Sequence, residues 1–292
     1  MLISELLEEY LLEIDARGQS KTTIKTTKDS IDTFIKFTGD ISIFKVNKII
    51  INKYIIDQRT RCKNNTINNR IIYLRGLYKY AVEQELIEKS PFKNVEFLKK
   101  PKVMIKTYSP DDIQKILGSL KGRDFLTVRN RTLITLLVET GIRNSELCGI
   151  KLEDVYEGSI RILGKGNKIR FVPISKPLRL QLLRYMRVRN KYTLNHPSDY
   201  LFVNRLRQPM TRPTLLKAIK DIGKKLGVDV ATTIHNFRRY FAQQLLNDVD
   251  IYIISRLLGH SHLATTELYI RSIEDTTIVE KGATYSPLSK KK

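Results

Sequence analysis

Cysteine, acidic side chains and long apolar runs are the scarce ingredients of this chain of 292 residues. The two cysteines, Cys62 and Cys148, have no partner spacing. They exclude a disulfide framework and read as reduced thiols of a cytoplasmic protein, Cys148 within the core. No apolar run reaches the roughly 18 residues that a membrane span needs. The opening, MLISELLEEYLLEID, lacks the basic start of a secretory signal peptide. A glycine-rich P-loop is missing, as is a carboxylate cluster that would hold two metal ions. Acidic residues number 30 against 52 Lys and Arg, for a net charge of +22. Solubility alone asks for about 2–8 in a small domain. The surplus points to a polyanion, and to nucleic acid ahead of an acidic membrane surface, because each neutralised phosphate releases counterions. It is uneven: residues 1–100 carry 18 basic and 13 acidic side chains, residues 101–292 carry 34 and 17.

What is present fits about two domains. In the first, residues 4–14 form a helix with Leu6, Leu7, Tyr10, Leu11 and Ile14 on one side. Ile24, Ile31, Phe34 and Ile35 mark a second helix and residues 49–58 a third. A fourth carries Ile67, Ile71, Leu74, Tyr78 and Ala81 on one stripe. Residues 90–110, with three prolines and five lysines, read as extended basic chain between domains. Ser109 and Pro110 restart a helix as its cap and first residue. Residues 129–141 form a strongly apolar helix that ends at Gly141. SIRILGKGNKIRFVPI, residues 159–174, alternates around a glycine-bearing turn and reads as a β-hairpin. Helical patterns follow, through IHNFRRYFAQQLL and IYIISRLLG.

Three polar constellations carry chemistry. In ETGIRNSELCGI, Arg143 follows a glycine turn and Glu146 lies three residues on. The pair is either a surface ion pair at a helix start or a guanidinium held rigid for a phosphate. The hairpin turn holds Lys165 and Lys168, solvated lysines or a lysine reaching a DNA strand. In IHNFRRYFAQQLL, His235 and Arg238 stand one helical turn apart and can face one point. To these LLGHSHLATTELYI adds His260 and, nine residues later, Tyr269. A phenol, with a pKa of about 10, attacks phosphorus only if its proton is removed and the extra charge at phosphorus is stabilised. Two arginines suit the non-bridging oxygens, histidines move protons near neutrality, and a lysine can protonate a departing oxygen.

The ordered set Arg143, Lys165, His235, Arg238, His260, Tyr269 resembles that of the tyrosine recombinase family of phage integrases and Xer-type enzymes. TGIRNSEL is similar to that family's first-arginine motif, GKGNKIRFVPI to its lysine hairpin, and HNFRRYFA to its His-x-x-Arg motif. LGHSHLATTELYI is similar to its second-histidine and nucleophile motif. TINNRIIYLRGLYKYAVEQELIEKSPF resembles the last helices of the family's core-binding domain. The resemblance runs from about residue 4 to residue 272. One position departs: Arg239 stands where the family usually has histidine, which bears on local packing rather than on catalysis.

The resemblance implies a mainly α fold with a small β-hairpin. A four-helix, SAM-like core-binding domain over 1–97 is joined by a basic linker, 98–108, to a catalytic domain over 109–274, the two forming a clamp around DNA. Residues 275–292 would be a tail that docks on a neighbouring subunit through Ile278 and Val279, with Ile273 just before it. Tyr269 would attack the scissile phosphate, leaving a 3′-phosphotyrosine and a 5′-hydroxyl; two rounds of exchange pass through a Holliday junction. Arg143 and Arg238 would stabilise the pentavalent phosphorus and Lys165 protonate the leaving oxygen. His235 would act as base or relay, His260 as donor to the phosphate, and Glu146 would orient Arg143. No cofactor and no metal are required. The partners would be double-stranded DNA and other copies, a tetramer on two sites, or a paralogue, with no membrane. Rival tyrosines are weaker: Tyr240 and Tyr252 sit in apolar stripes and read as core, and Tyr285 lies in the tail. Three other readings stand beside this one: a type IB topoisomerase-like enzyme, a DNA-binding regulator without cleavage, and a metal site at His235, His260 and His262.

Overall fold

The computed structural model describes residues 1–99, 107–227, 233–246 and 249–259. The chain divides into two compact units, one ending at Val103 and the other starting at Met104. It is mainly helical, with a single two-stranded sheet among the described residues.

The first unit holds four helices: α1 (Ile3–Ala16), α2 (Lys21–Thr38), α3 (Lys48–Arg59) and α4 (Asn64–Glu83). Side-chain caps set two of the starts. Ser20 accepts from the Thr23 amide at 3.1 Å, and Asn47 accepts from those of Ile49 and Ile50 at 3.0 and 3.1 Å. The long helix α4 is the spine. Its stripe of Ile67, Ile71, Leu74, Tyr78 and Ala81 is wholly buried against α1, α2 and α3, as the helical period requires.

The chain after α4 is not the free linker that its prolines and lysines suggest. Phe92 and Val95 are buried in the same core. Asn68 acts on the segment as a strand would: its Nδ2 donates to the Leu98 carbonyl and its Oδ1 accepts the Leu98 amide, both at 2.9 Å. Asn64 donates to the Lys99 carbonyl, and Arg75 donates to the carbonyls of Phe92 and Val95. Polar side chains of α4 thus bind a stretch whose own amides have no ladder to join. Composition showed the lysines; it did not show the two apolar anchors between them.

The second unit is built around α6 (Phe125–Thr140), which packs on α8 (Lys176–Tyr192) and α10 (Ile234–Leu245). Ahead of it lies α5 (Pro110–Gly118), started by a reciprocal cap. The Asp112 amide donates to Ser109 Oγ at 3.1 Å, and the Ser109 amide to Asp112 Oδ2 at 2.9 Å. Asp124 caps α6 through the Thr127 amide, so this helix begins four residues ahead of the apolar pattern. Next come the short α7 (Asn144–Gly149) and the hairpin β1 (Ser159–Leu163) and β2 (Ile169–Pro173). The pairing runs from Ser159 opposite Pro173 to Leu163 opposite Ile169. Ile160, Ile162 and Val172 face inward and are buried. Between the strands, Gly166 and Asn167 take positive φ values of 72° and 58°, which closes the turn. α9 (Arg212–Leu226) and α11 (Ile251–Leu258) complete the unit.

Tyr252 is a correction. It is exposed on α11, because the apolar stripe there runs through Ile254 and Leu258 instead. Tyr240 does pack against the core, and Cys148 is half-buried, its thiol pushed up to about 11 by burial. No helix among the described residues is long and apolar enough to cross a membrane.

Candidate active site

Two helix ends define the site. α6 stops at Gly141 and α11 at Gly259, each in the left-handed conformation with φ of 57° and 65°. A Cβ on Gly141 would lie 2.6 Å from Phe241 and 2.9 Å from Leu258, so glycine is required there by both backbone and space. The turn after Gly141 delivers Arg143 to the start of α7.

The end of α11 leaves carbonyls without helical partners, at the negative pole of the helix. Arginines from three elements take three consecutive ones. Arg170 Nε, from β2, donates to the Leu257 carbonyl at 2.9 Å. Arg238 Nη2, from α10, donates to that of Leu258 at 2.6 Å. Arg143 Nη2 donates to that of Gly259 at 3.1 Å. Arg238 also donates through Nη1 to the Gly141 carbonyl at 2.8 Å, tying the two glycine-ended helices together, and it is only 1% exposed.

Glu146 sits beneath this ring. Its side chain is 2% exposed and receives four donors. The Arg143 amide bonds Oε2 at 2.7 Å and Arg143 Nη1 bonds Oε1 at 2.8 Å. Arg170 approaches with both terminal nitrogens, Nη1 to Oε1 at 2.9 Å and Nη2 to Oε2 at 2.8 Å. Burial opposes the negative charge, yet the Arg170 fork, the Arg143 amide and the Arg143 guanidinium outweigh it and hold the carboxyl at about 2. The Arg143 side chain remains 34% exposed.

His235 is exposed at the first turn of α10. Although the residue is exposed overall, loss of water around part of its ring, and then the charges of Arg239, Arg238 and Arg143, lower its pKa below the usual histidine value. The ring is therefore neutral near pH 7 and able to accept a proton. Arg239 donates to Asn236 Oδ1 at 3.1 Å and so takes up a local contact on the same helix.

Four of the expected residues, Arg143, Glu146, His235 and Arg238, thus gather at one place. The backbone of Lys165 lies in the hairpin turn that β2 leaves. His260, His262, Tyr269 and the tail 275–292 lie outside the described residues. Among the described residues no group of three His, Cys, Asp or Glu stands close enough to hold a metal ion.

Arg170 was missed by motif reading, although a signal existed. Strand alternation that turns Val172 inward turns Arg170 inward too, opposite Ile162. A cation on the inner face of a strand demands a buried partner.

Comparison with known proteins agrees with this geometry. The phage integrase family model matches residues 106–275, and the phage integrase SAM-like domain matches residues 2–100. The chain is 29% identical over 262 residues to tyrosine recombinase XerD of Halalkalibacterium halodurans, covering 87% of this chain and 88% of that one. It is 35% identical over 200 residues to XerD of Pseudomonas aeruginosa, 67% of each chain. Its fold is similar to that of the Tn1549 transposon integrase in complex with transposon right end DNA, with a TM-score of 0.78 and 20% identity over 98% of this chain and 99% of that one. It is similar also to that of a lambda integrase tetramer bound to a Holliday junction, with a TM-score of 0.73 and 16% identity over 90% and 78%. An arginine-ringed helix end and two domain matches spanning nearly the whole chain lead to one conclusion: this chain belongs to the phage integrase family of tyrosine recombinases.

Proposed function

We propose that Tyr269 is the nucleophile of DNA strand cleavage and that Arg143 and Arg238 hold the scissile phosphate. The chain is a site-specific DNA recombinase by its family, and the proposal concerns which residues do the work. One observation carries it: guanidiniums from the start of α7 and from within α10 converge on adjacent carbonyls at the end of α11, ten residues ahead of Tyr269.

In this reading the Tyr269 oxygen bonds to phosphorus as the 5′-oxygen leaves. A phosphodiester becomes a 3′-phosphotyrosine, so bond energy is kept and a 5′-hydroxyl from a second duplex can reverse the step. Arg143 and Arg238 stay charged at all relevant pH and stabilise the added negative charge, an effect of about 2.7–4 kcal/mol for a typical donor. His235, neutral near pH 7, takes the phenol proton or relays it. Lys165 gives a proton to the departing oxygen, and His260 donates to a non-bridging oxygen. Glu146 orients Arg143. Residues 1–97 would bind the duplex as a core-binding domain, 98–108 would link it to the catalytic domain 109–274, and 275–292 would dock on a neighbouring copy. The assembly would be a tetramer on two double-stranded sites, or one shared with a paralogue, acting in the cytoplasm. The lambda integrase tetramer on a Holliday junction, similar in fold, supports that arrangement.

The test is covalent capture. The full chain is mixed with a pool of nicked duplexes of randomised sequence, in which the fragment carrying the 5′-oxygen diffuses away after cleavage. Protein–DNA adducts that survive detergent are recovered, the DNA is sequenced, and the modified residue is located by mass spectrometry. The expected site is Tyr269, with no adduct from Tyr269→Phe. Tight binding without an adduct would refute strand cleavage, and an adduct on another tyrosine would refute the assignment.

A further inference from the structure

Glu146 poses a problem of charge. A carboxylate bonded to Arg143 cancels the charge that Arg143 would offer to a phosphate. The geometry resolves it through a second guanidinium. Arg170 takes both oxygens of Glu146, at 2.8 and 2.9 Å, whereas Arg143 gives only one terminal nitrogen to the carboxylate. Arg170 is also the more enclosed of the two, its side chain 12% exposed against 34% for Arg143. Two cations and one anion leave one net positive charge, and the more open of the two cations is Arg143.

We propose that Arg170 is a positioning residue for strand cleavage: by occupying Glu146 it keeps the charge of Arg143 uncancelled for the scissile phosphate. The inference rests on the reading that Arg143 binds that phosphate. Without Arg170, the freed oxygens of a buried carboxylate draw Arg143 into a two-pronged pair and the net charge falls to zero. Arg170 adds a second constraint through Nε, which bonds the Leu257 carbonyl, and through its packing against Gly259, where an added Cβ would lie 3.1 Å from the Arg170 side chain. It stands five residues after Lys165, so one side chain fastens the lysine hairpin to α7 and to the end of α11.

The experiment uses the nicked duplex recovered by covalent capture, in two forms: with its natural scissile phosphate, and with a neutral methylphosphonate there. Arg170→Gln is expected to cleave the phosphate duplex about 100-fold more slowly than the wild type. On the methylphosphonate duplex, whose pentavalent centre carries one negative charge fewer, that deficit should narrow to about threefold. The double variant Glu146→Gln with Arg170→Gln removes the charge that captures Arg143, and should recover about tenfold of the loss on the phosphate duplex. A purely structural role would give the same deficit on both duplexes and no recovery in the double variant; either result overturns the proposal. Thermal unfolding of each variant is measured beside cleavage. If Arg170→Gln does not fold, Arg170→Met, which keeps much of the side-chain length without the charge, replaces it on the same two duplexes, and a deficit that fails to narrow overturns the proposal equally. Wild-type protein that makes no adduct would refute the underlying reading. An adduct lost in Tyr269→Phe but formed at the wild-type rate by Arg170→Gln would refute only the role of Arg170.

Discussion

The two units of this chain bury very different things. Among the described residues the first encloses no charged side chain; its buried polar groups are Thr27, Ser30, Gln58 and Asn68. The second encloses Arg129, Glu146, Arg189 and Arg238. Stripping water from an ion is costly, and replacing a buried pair by apolar side chains is often neutral or stabilising. Charge inside a fold therefore needs a reason. For Arg189 the reason is local: it closes a loop by donating to the carbonyls of Ser198, Tyr200 and Leu201. For Arg238 and Glu146 it is the shared helix end, where guanidiniums meet backbone carbonyls and a carboxylate. The first unit is held by an apolar stripe, the second by a stripe and an electrostatic frame.

The sharpest way to break that contrast is Arg238→Ala. It removes the donor to Gly141 and Leu258, and cleavage should fall about 1,000-fold, as measured by adduct formation on the nicked duplex. Glu146 separates the units by acid. Its folded pKa of about 2 lies below the ordinary glutamate value of 4.5, so the stabilisation is complete above about pH 4.5 and is lost as pH falls to about 2. The loss amounts to about 3 kcal/mol. Hydrogen exchange resolved by mass spectrometry should show the second unit loosening through that window, and Glu146→Gln should remove that dependence. His235 gives a smaller signature. Its pKa lies below 6.5, so cleavage should rise with pH through that lowered value and level off before neutrality. His235→Gln should slow cleavage about 100-fold and flatten that limb. In the first unit, Asn68→Ala removes both bonds to Leu98 and should cost about 1–3 kcal/mol, loosening that unit in denaturant while leaving adduct chemistry on saturating DNA intact. Tyr252→Ala, at an exposed position, should change stability by less than about 0.5 kcal/mol.

Much of this was legible beforehand, for identifiable reasons. Helices with a clear 3.6-residue stripe, such as α4, announce themselves because burial selects every third or fourth residue. Gly141 and Ser109 mark a helix end and a helix start by chemistry that few other residues supply. Arg143, His235 and Arg238 were found because each sits in a compact motif. Arg170 was passed over because its partner lies 24 residues away and the pairing appears only once the strand is registered against α7. The segment around Phe92 and Val95 was misread because lysine and proline dominate its composition, while two apolar side chains decide its place. Tyr252 was misread because its helix is apolar nearly all round, so neighbouring stripes could not be ranked without the packing.

The three consecutive carbonyls at Leu257, Leu258 and Gly259 make the arginine cluster, the proposed phosphate site, a unit rather than a collection. A single helix terminus anchors arginines from a turn, a strand and a helix, so a shift of that terminus by one residue would unseat all of them together. Phosphate affinity would then change in one step instead of by degrees, and any pull on the chain downstream of Gly259 would be felt by every cation at once.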